Sequence, residues 1–560
     1  MRRRLAVALL SVLTAGCQDS VKPRPTEGGL DQITVAYLCG NRFELRNQDA
    51  PDKLVHYAVL GTAETGDVLL PAGMSTAPSI TRLTAVNRGP LQISTSDGST
   101  EPVENGAIAC PAPAPRQPQS ESGEWSLPVP WPVVAVHLHL LPTGRVLSWG
   151  RIGAPQVYDP AEGSFSEVPT ATMVFCSGHT FLADGRLLVS GGHLDDRRGL
   201  RDANLFDPES QSWLQLSSMS FARWYPTTTM LADGEVISLA GTDQSAEQVE
   251  IPEIWSGGSW RQLAGAARAL PYYPRTFVAP NGLLFYAGEL QQSAYLDPAG
   301  SGRWMPGPSS NYGRRDYGSA VMYQPGRVMI LGGSDPPDGA PTNTAELIDL
   351  NEPQPSWRYT ESMRYARRQF NATLLPDGQV LATGGTSAAG FSDPAGAVHA
   401  AELWSPARGQ WRVLASNRTT RVYHSTSLLL PDGRVLHAGS GDGPGLPREL
   451  NAEIFSPPYL FRGPRPLLEE APAQAAFGET FLVGSPDALR VVRVTLVRLG
   501  SVTHAFDQSQ RFVELSFRRV AGGLSVQAPV NGATAPPGPY LLTLLDDAGV
   551  PSTSAIILIH

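Results

Sequence analysis

The chain has 560 residues, 17% of them charged, and a formal net charge of -9. That length exceeds one hydrophobic core and implies several domains, while the acidic balance, with no basic stretch, excludes a nucleic-acid polyanion as partner. The 56 glycines and 50 prolines are scattered rather than tandem, which excludes collagen-like and low-complexity chains and suits many short strands joined by turns.

The chain opens on Met1-Arg2-Arg3-Arg4 and an apolar run from Leu5 to Leu13, the two regions of an export signal. The run is too short to cross a bilayer. Thr14-Ala15-Gly16-Cys17 resembles a bacterial lipoprotein cleavage site, so residues 1–17 read as a signal with Cys17 as the lipid-bearing residue. An ordinary secretory signal cut nearby is the alternative. The expected location is the cell envelope or outside the cell, with membrane attachment only through that lipid. Residues 18–31 read as a polar tether, and residues 32–112, with apolar bursts such as Ile33 to Leu38, as a small β-sandwich. Cys39 and Cys110 bracket that segment, and export favours a disulfide between them, worth roughly 4 kcal/mol in the chain-entropy treatment. Residues 113–124 are a Pro/Ser/Gln linker. Cys176 is left without a disulfide partner.

From about residue 125 a repeat takes over. An apolar strand, a turn carrying glycine and a strand ending in small residues recur in seven copies, with turn glycines at 144, 185, 234, 282, 326, 378 and 433, 41 to 55 residues apart. Asp-Gly and Asn-Gly pairs make tight hairpin turns because glycine tolerates positive φ. Tryptophans fall near the ends of the units (Trp213, Trp260, Trp304, Trp357, Trp411). A period near 50 with Gly-Gly strand ends predicts a seven-bladed kelch-type β-propeller over 125–456. After Pro457-Pro458 the repeat stops. Residues 457–560 show alternating strands at 481–483, 491–499, 512–517, 540–545 and 555–559, which predict an Ig-like β-sandwich. The predicted class is all-β throughout.

The repeat also supplies a ruler. Nine residues before each turn glycine stand Ala135, Cys176, Tyr225, Tyr273, Tyr317, Gln369 and His424. Equivalent positions of successive blades surround a propeller axis, so these side chains are expected to form one ring, with Tyr423 beside His424. A structural ring would hold small or apolar residues. A thiol, phenols, an amide and an imidazole point instead to a polar site. Imidazole with phenolate suits Cu(II) in a square-based geometry, whereas the short-spaced His/Cys sets of zinc and the clustered carboxylates of calcium are absent.

Four segments carry a resemblance: Phe175-Cys176-Ser177-Gly178-His179, Arg223-Trp224-Tyr225-Pro226-Thr227, Arg421-Val422-Tyr423-His424-Ser425 and Val502-Thr503-His504. In content, order and placement they resemble the signatures of the galactose oxidase/glyoxal oxidase family over residues 125–560, and Arg-Trp-Tyr-Pro leans toward the glyoxal oxidase branch. The resemblance implies copper ligated by Tyr225, Tyr423, His424 and His504, and a thioether between Cys176 and Tyr225. It implies that Tyr225 serves as the radical of a protein-derived Cys-Tyr cofactor and that Tyr423 accepts the substrate hydroxyl proton. It also implies oxidation of an aldehyde or primary alcohol, with O2 leaving as hydrogen peroxide. His504 sits between strand signals, so its turn would have to enter the central channel.

Gln369, Tyr273 and Tyr317 are candidate substrate contacts, with Arg275 and Arg368 weaker ones. His179 reads as packing near the site, and His137 and His139 as structural. Trp224 is expected to point away from Tyr225 if the strand alternates, leaving no tryptophan to stack on the cross-link. The expected partners are a small-molecule or glycan substrate and O2, for a monomer. The competing function is a non-catalytic, surface-tethered propeller that binds carbohydrate. A hydrolase is disfavoured, because neither Gly-x-Ser-x-Gly nor His-Glu-x-x-His occurs.

Overall fold

The computed structural model describes residues 27–30, 32–39, 41–48, 51–72, 79–85, 87–96, 98–104, 118–443 and 445–560. The signal, Cys17 and Cys110 lie outside the described residues, and so does the proposed Cys39–Cys110 bridge. The chain divides into two compact units at Arg116/Gln117.

In the first unit, alternation places Ile33, Val35 and Tyr37 inside, opposite Phe43 and Leu45, with Val55, Leu70, Leu91 and Ile93 completing the core. Two four-stranded sheets share that core. The tether reading is corrected at its C-terminal end, because Glu27–Leu30 pairs antiparallel with Ile33–Cys39 and is the sheet's edge strand.

The second unit is all-β and carries the repeat. Each predicted turn glycine has φ between 76° and 89°, and each closes a hairpin whose first strand is buried throughout or nearly so. These first strands are His137–Leu140, Gly178–Phe181, Thr227–Met230, Arg275–Val278, Ser319–Gln324, Arg368–Leu374 and Ser425–Leu429. Two further antiparallel strands extend each hairpin into its own sheet. The seventh sheet takes its outer strands from the other end of the repeat run, Glu124–Trp125 and Val129–Pro130 pairing with Asn451–Ser456. The part of the predicted linker that is described has regular structure: Gln119–Ser122 is a helical turn and Glu124 is in a strand.

A buried ion pair recurs in four sheets. Arg223–Glu253, Arg315–Glu346, Arg367–Glu402 and Arg421–Glu453 join the approach to the first strand to the third strand. Each glutamate also accepts two backbone N–H groups of the preceding loop, as Glu253 does from Ser220 and Phe221. Each arginine also donates to backbone carbonyls, as Arg223 does to Ala240 and Ile251. This satisfies charges that burial would otherwise penalise heavily.

The C-terminal segment forms two sheets, one built on Val491–Arg498 and Gly538–Asp546, the other on Thr480–Gly484 and Gly523–Gln527. They enclose a core that includes Val494, Leu496, Leu542 and Ile557. Its hairpin Ser501–Thr503/Phe506–Asp507 leaves this body and pairs with the first repeat sheet, His137 opposite Thr503 and His139 opposite Ser501.

Candidate metal centre

The ring register has a conformational signature. Cys176, Tyr225, Tyr273, Tyr317, Gln369 and His424 all have φ between 46° and 68°, a left-handed conformation that side chains other than glycine seldom adopt. Five of them stand one or two residues before their sheet's first strand, and Gln369 is the second residue of its strand. Backbone bonds link neighbours across sheets: Tyr225 N–H to the Cys176 carbonyl (2.9 Å), Tyr273 N–H to Tyr225 (3.0 Å) and Gln369 N–H to Tyr317 (2.9 Å). Ala135 alone departs, without positive φ. It is the smallest member, in the sheet against which the C-terminal hairpin lies. His504, at the tip of that hairpin, has φ 45°.

These residues meet. Tyr225 Oη lies 2.5 Å from Tyr423 Oη and 2.8 Å from His504 Nε2. The His424 and His504 rings are 4.7 Å apart at 87°, and the Tyr423 ring stacks on His424 at 3.7 Å. Cys176 is fully buried in one cluster with Tyr225, Trp224 and Tyr273. Burial raises its thiol pKa well above the ordinary value, and a side-chain hydrogen bond with Tyr225 acts in the opposite direction.

The donor set fits a cation. His424 Nδ1 lies 2.7 Å from the Gly441 carbonyl; a carbonyl only accepts, so the ring proton is on Nδ1 and the Nε2 lone pair is free. That Nε2 is buried without a partner. Burial holds His424 down at about 3 and, with the nearby His424, holds His504 well below the ordinary value. Both are therefore neutral ligand-ready imidazoles at pH 7. Burial likewise pushes the Tyr225 and Tyr423 phenols up, so ionising either requires a positive charge at this point. Two imidazoles and two phenols around it suit Cu(II).

Trp224 corrects the sequence reading. Its ring stacks on Tyr225 with centroids 3.6 Å apart and 9° between planes. Tyr225 is left-handed, so strand alternation does not govern the pair. Trp224 Nε1 donates to His193 Nδ1 at 3.1 Å.

A cavity of about 410 Å³ opens beside Tyr225 and His504, walled by Tyr272, Tyr273, Arg275, Glu289, Arg314, Asp316 and Tyr317. Tyr273 lies 4.7 Å from both the Tyr225 and His504 rings, and its hydroxyl donates to the Ser177 carbonyl. Gln369 is buried with both amide atoms unpartnered. Arg275 donates to the Tyr273 and Gly318 carbonyls, whereas Arg368 is held by Asp316 and Asp338. Phe391 packs edge-on to both Tyr423 and Tyr317. Sequence reasoning passed over Tyr272, Glu289, Arg314, Asp316 and Phe391. Tyr272 and Asp316 stand directly before the ring residues Tyr273 and Tyr317, as Tyr423 stands before His424, whereas Glu289, Arg314 and Phe391 lie on connecting loops that no spacing marks.

Fold and site define an all-β protein of repeated sheets with a buried phenol, imidazole and thiol cluster where the inner strands begin. Comparison with known proteins agrees. Residues 338–459 match the family model "Glyoxal oxidase N-terminus" and residues 465–559 match "Galactose oxidase-like, Early set domain". The aldehyde oxidase GLOX of Vitis pseudoreticulata is 31% identical over 437 residues, covering 68% of this chain and 81% of that protein. Galactose oxidase of Gibberella zeae is 28% identical over 463 residues, covering 74% and 67%. A fungal alcohol oxidase solved in complex with copper superposes with a TM-score of 0.72 at 24% identity, over 78% of this chain and all of that one. The chain belongs to the galactose oxidase/glyoxal oxidase family.

Proposed function

We propose that the protein is a copper radical oxidase converting an aldehyde or primary alcohol with reduction of O2 to hydrogen peroxide, on a seven-bladed propeller closed by residues 124–130. The carrying observation is the convergence of Tyr225, Tyr423, His424 and His504 around one point, with the Cys176 thiol against Tyr225. Tyr225, Tyr423, His424 and His504 would hold the metal. Copper(II), when bound, supplies one oxidising equivalent and Lewis acidity toward a hydroxyl.

The protein residues do the remaining work. A two-electron oxidation needs a second equivalent, which Tyr225 holds as a ring radical, eased by the electron-donating sulfur of a thioether to Cys176 and covered by Trp224. Tyr423 Oη takes the substrate hydroxyl proton. The 410 Å³ cavity admits a small polar substrate at the Tyr225 and His504 edge, with Tyr273, Tyr317 and Gln369 as contacts. Gln369 has hydrogen-bonding capacity left over for this. The Vitis relative's name and the Arg-Trp-Tyr-Pro segment favour the glyoxal oxidase branch. Export, lipidation at Cys17, the Cys39–Cys110 disulfide, a monomeric state and an Ig-like C-terminal domain complete the proposal.

The test is mass spectrometry of copper-loaded, aerated protein beside a peroxide assay. A loss of two hydrogens with a linked Cys176–Tyr225 peptide, and no peroxide from Cys176→Ser or Tyr225→Phe, is the expected result. A freely alkylatable Cys176, or full activity in either variant, would sink it and leave a carbohydrate-binding scaffold.

A further inference from the structure

Four buried polar side chains beside Cys176 have no part in that chemistry: His137, His139, His179 and Ser501. Their proton positions can be solved. The Cys176 backbone N–H, which can only donate, points at His137 Nε2 at 3.1 Å. His137 therefore carries its proton on Nδ1 and donates it to His179 Nε2 at 2.9 Å. His179 is then protonated on Nδ1 and donates to Ser501 Oγ at 2.6 Å. Ser501 Oγ also meets His139 Nδ1 at 2.9 Å and donates toward the His179 carbonyl at 3.4 Å, so the run ends on its hydroxyl. His139 Nε2 has no partner. A second proton on His137 or His179 would set two N–H groups head to head, so the chain runs neutral and in one direction.

The chain joins three elements. His137 and His139 lie on the first strand of the first sheet, and His179 lies on the first strand of the second, with Cys176 just ahead of it. Ser501 lies on the hairpin that carries His504. Cys176 is left-handed, two residues before the strand starts at Gly178, and its N–H donates to His137 there.

We propose that the run Cys176 N–H, His137, His179, Ser501 is a positioning device for the thioether: it holds Cys176 in the conformation that presents its sulfur to Tyr225, and it does so only once the His504 hairpin has docked. The inference rests on the oxidase reading above. The step it governs breaks the Cys176 S–H bond and one Tyr225 ring C–H bond and forms one C–S bond. The two electrons and two protons released reduce O2 to hydrogen peroxide.

The experiment follows cross-linking in the full chain, purified without copper and then given Cu(II) in air, by intact mass against time, with copper stoichiometry read in parallel. Wild type should lose two hydrogens. His137→Phe, His179→Phe and Ser501→Ala should bind copper one to one yet cross-link at least tenfold more slowly. His137→Gln, which keeps an acceptor, should recover much of the rate. His139→Phe, equally buried but at the far end of the chain, should stay near wild type; a merely structural role would make it as harmful as His137→Phe. Cross-linking at the wild-type rate in Ser501→Ala, which removes one atom and leaves the fold intact, would overturn the proposal, and so would slowing in His139→Phe equal to that in His137→Phe. A wild type that never cross-links would defeat the oxidase reading itself.

Discussion

Acid should unfold the copper-free protein unusually early, because His137, His139, His179, His424, His437 and His504 are fully buried and held neutral. In each the first cause is burial, which disfavours the imidazolium. The folded pKa of each lies below the unfolded one, so the unfolded chain takes up protons that the folded chain refuses. Stability is whole above the unfolded value near 6.5 and falls as pH drops through it, until the folded pKa is reached. Between pH 7 and 5.5 each histidine held neutral removes on the order of 1 kcal/mol, so the six together remove several kcal/mol, a large share of the whole stability of many domains. Asp507 opposes this: burial pushes its carboxyl up to about 6, so the folded state gains a proton there, but one group returns only about 1 kcal/mol by pH 5.5. The histidines win. Urea unfolding of copper-free protein at half-unit pH steps, followed by tryptophan fluorescence, should show the midpoint collapsing between pH 7 and 5.5. A flat profile across that window would refute the neutral, buried assignment.

Replacing Glu253 by Leu strands the Arg223 guanidinium and two backbone N–H groups, and should cost about 3–5 kcal/mol of unfolding free energy. Arg223→Met added to it should restore a large part; a loss under 1 kcal/mol for Glu253→Leu alone would contradict the burial argument. Trp224→Ala removes a ring stacked 3.6 Å from Tyr225; a stack worth roughly 0.5–1.5 kcal/mol should shorten the lifetime of the oxidised form's absorption band by up to about tenfold at equal copper content. An unchanged decay would deny the stack a role. Gly441→Ala would place a Cβ 1.9 Å from the Pro447 carbonyl, at a residue of φ 90° whose own carbonyl holds the His424 proton. Copper affinity, measured against a competing chelator, should fall about 10–100-fold, and full affinity would mean that the carbonyl does not orient the ligand.

What the sequence made legible was whatever repeats. Turn glycines at a regular period gave the sheets, and counting back from them reached Cys176, Tyr225 and His424 without any knowledge of their contacts. What it hid was whatever breaks the rule locally. Strand alternation puts Trp224 on the side away from Tyr225, but Tyr225 is left-handed and the two rings stack. His137 and His139 looked like ordinary strand histidines, since their partners come from sheet two and from residue 501, over 300 positions away. The polar segments at Glu27 and Glu124 read as tether and linker, yet Glu27–Leu30 forms a hairpin with the strand that follows it, and Glu124–Trp125 pairs with Phe455–Ser456 at the other end of the repeat run.

The two kinds of position are connected. A left-handed conformation costs of order 1 kcal/mol or more for a residue with a Cβ, and here six ring positions and His504 adopt it together. No local sequence preference supports that; it persists because the surrounding hydrogen bonds and ion pairs over-determine the backbone. In three sheets a buried arginine stands two residues before the ring residue: Arg223 before Tyr225, Arg315 before Tyr317 and Arg367 before Gln369. Each is clamped to a glutamate of the third strand and to backbone carbonyls. The pairs therefore fix the approach to the strained residue, and the strained residue turns its side chain from the sheet toward the shared centre. Strain at the ring and buried charge behind it are two halves of one device, which is why a charge-stranding change as remote as Glu253→Leu should also loosen the ring position of Tyr225.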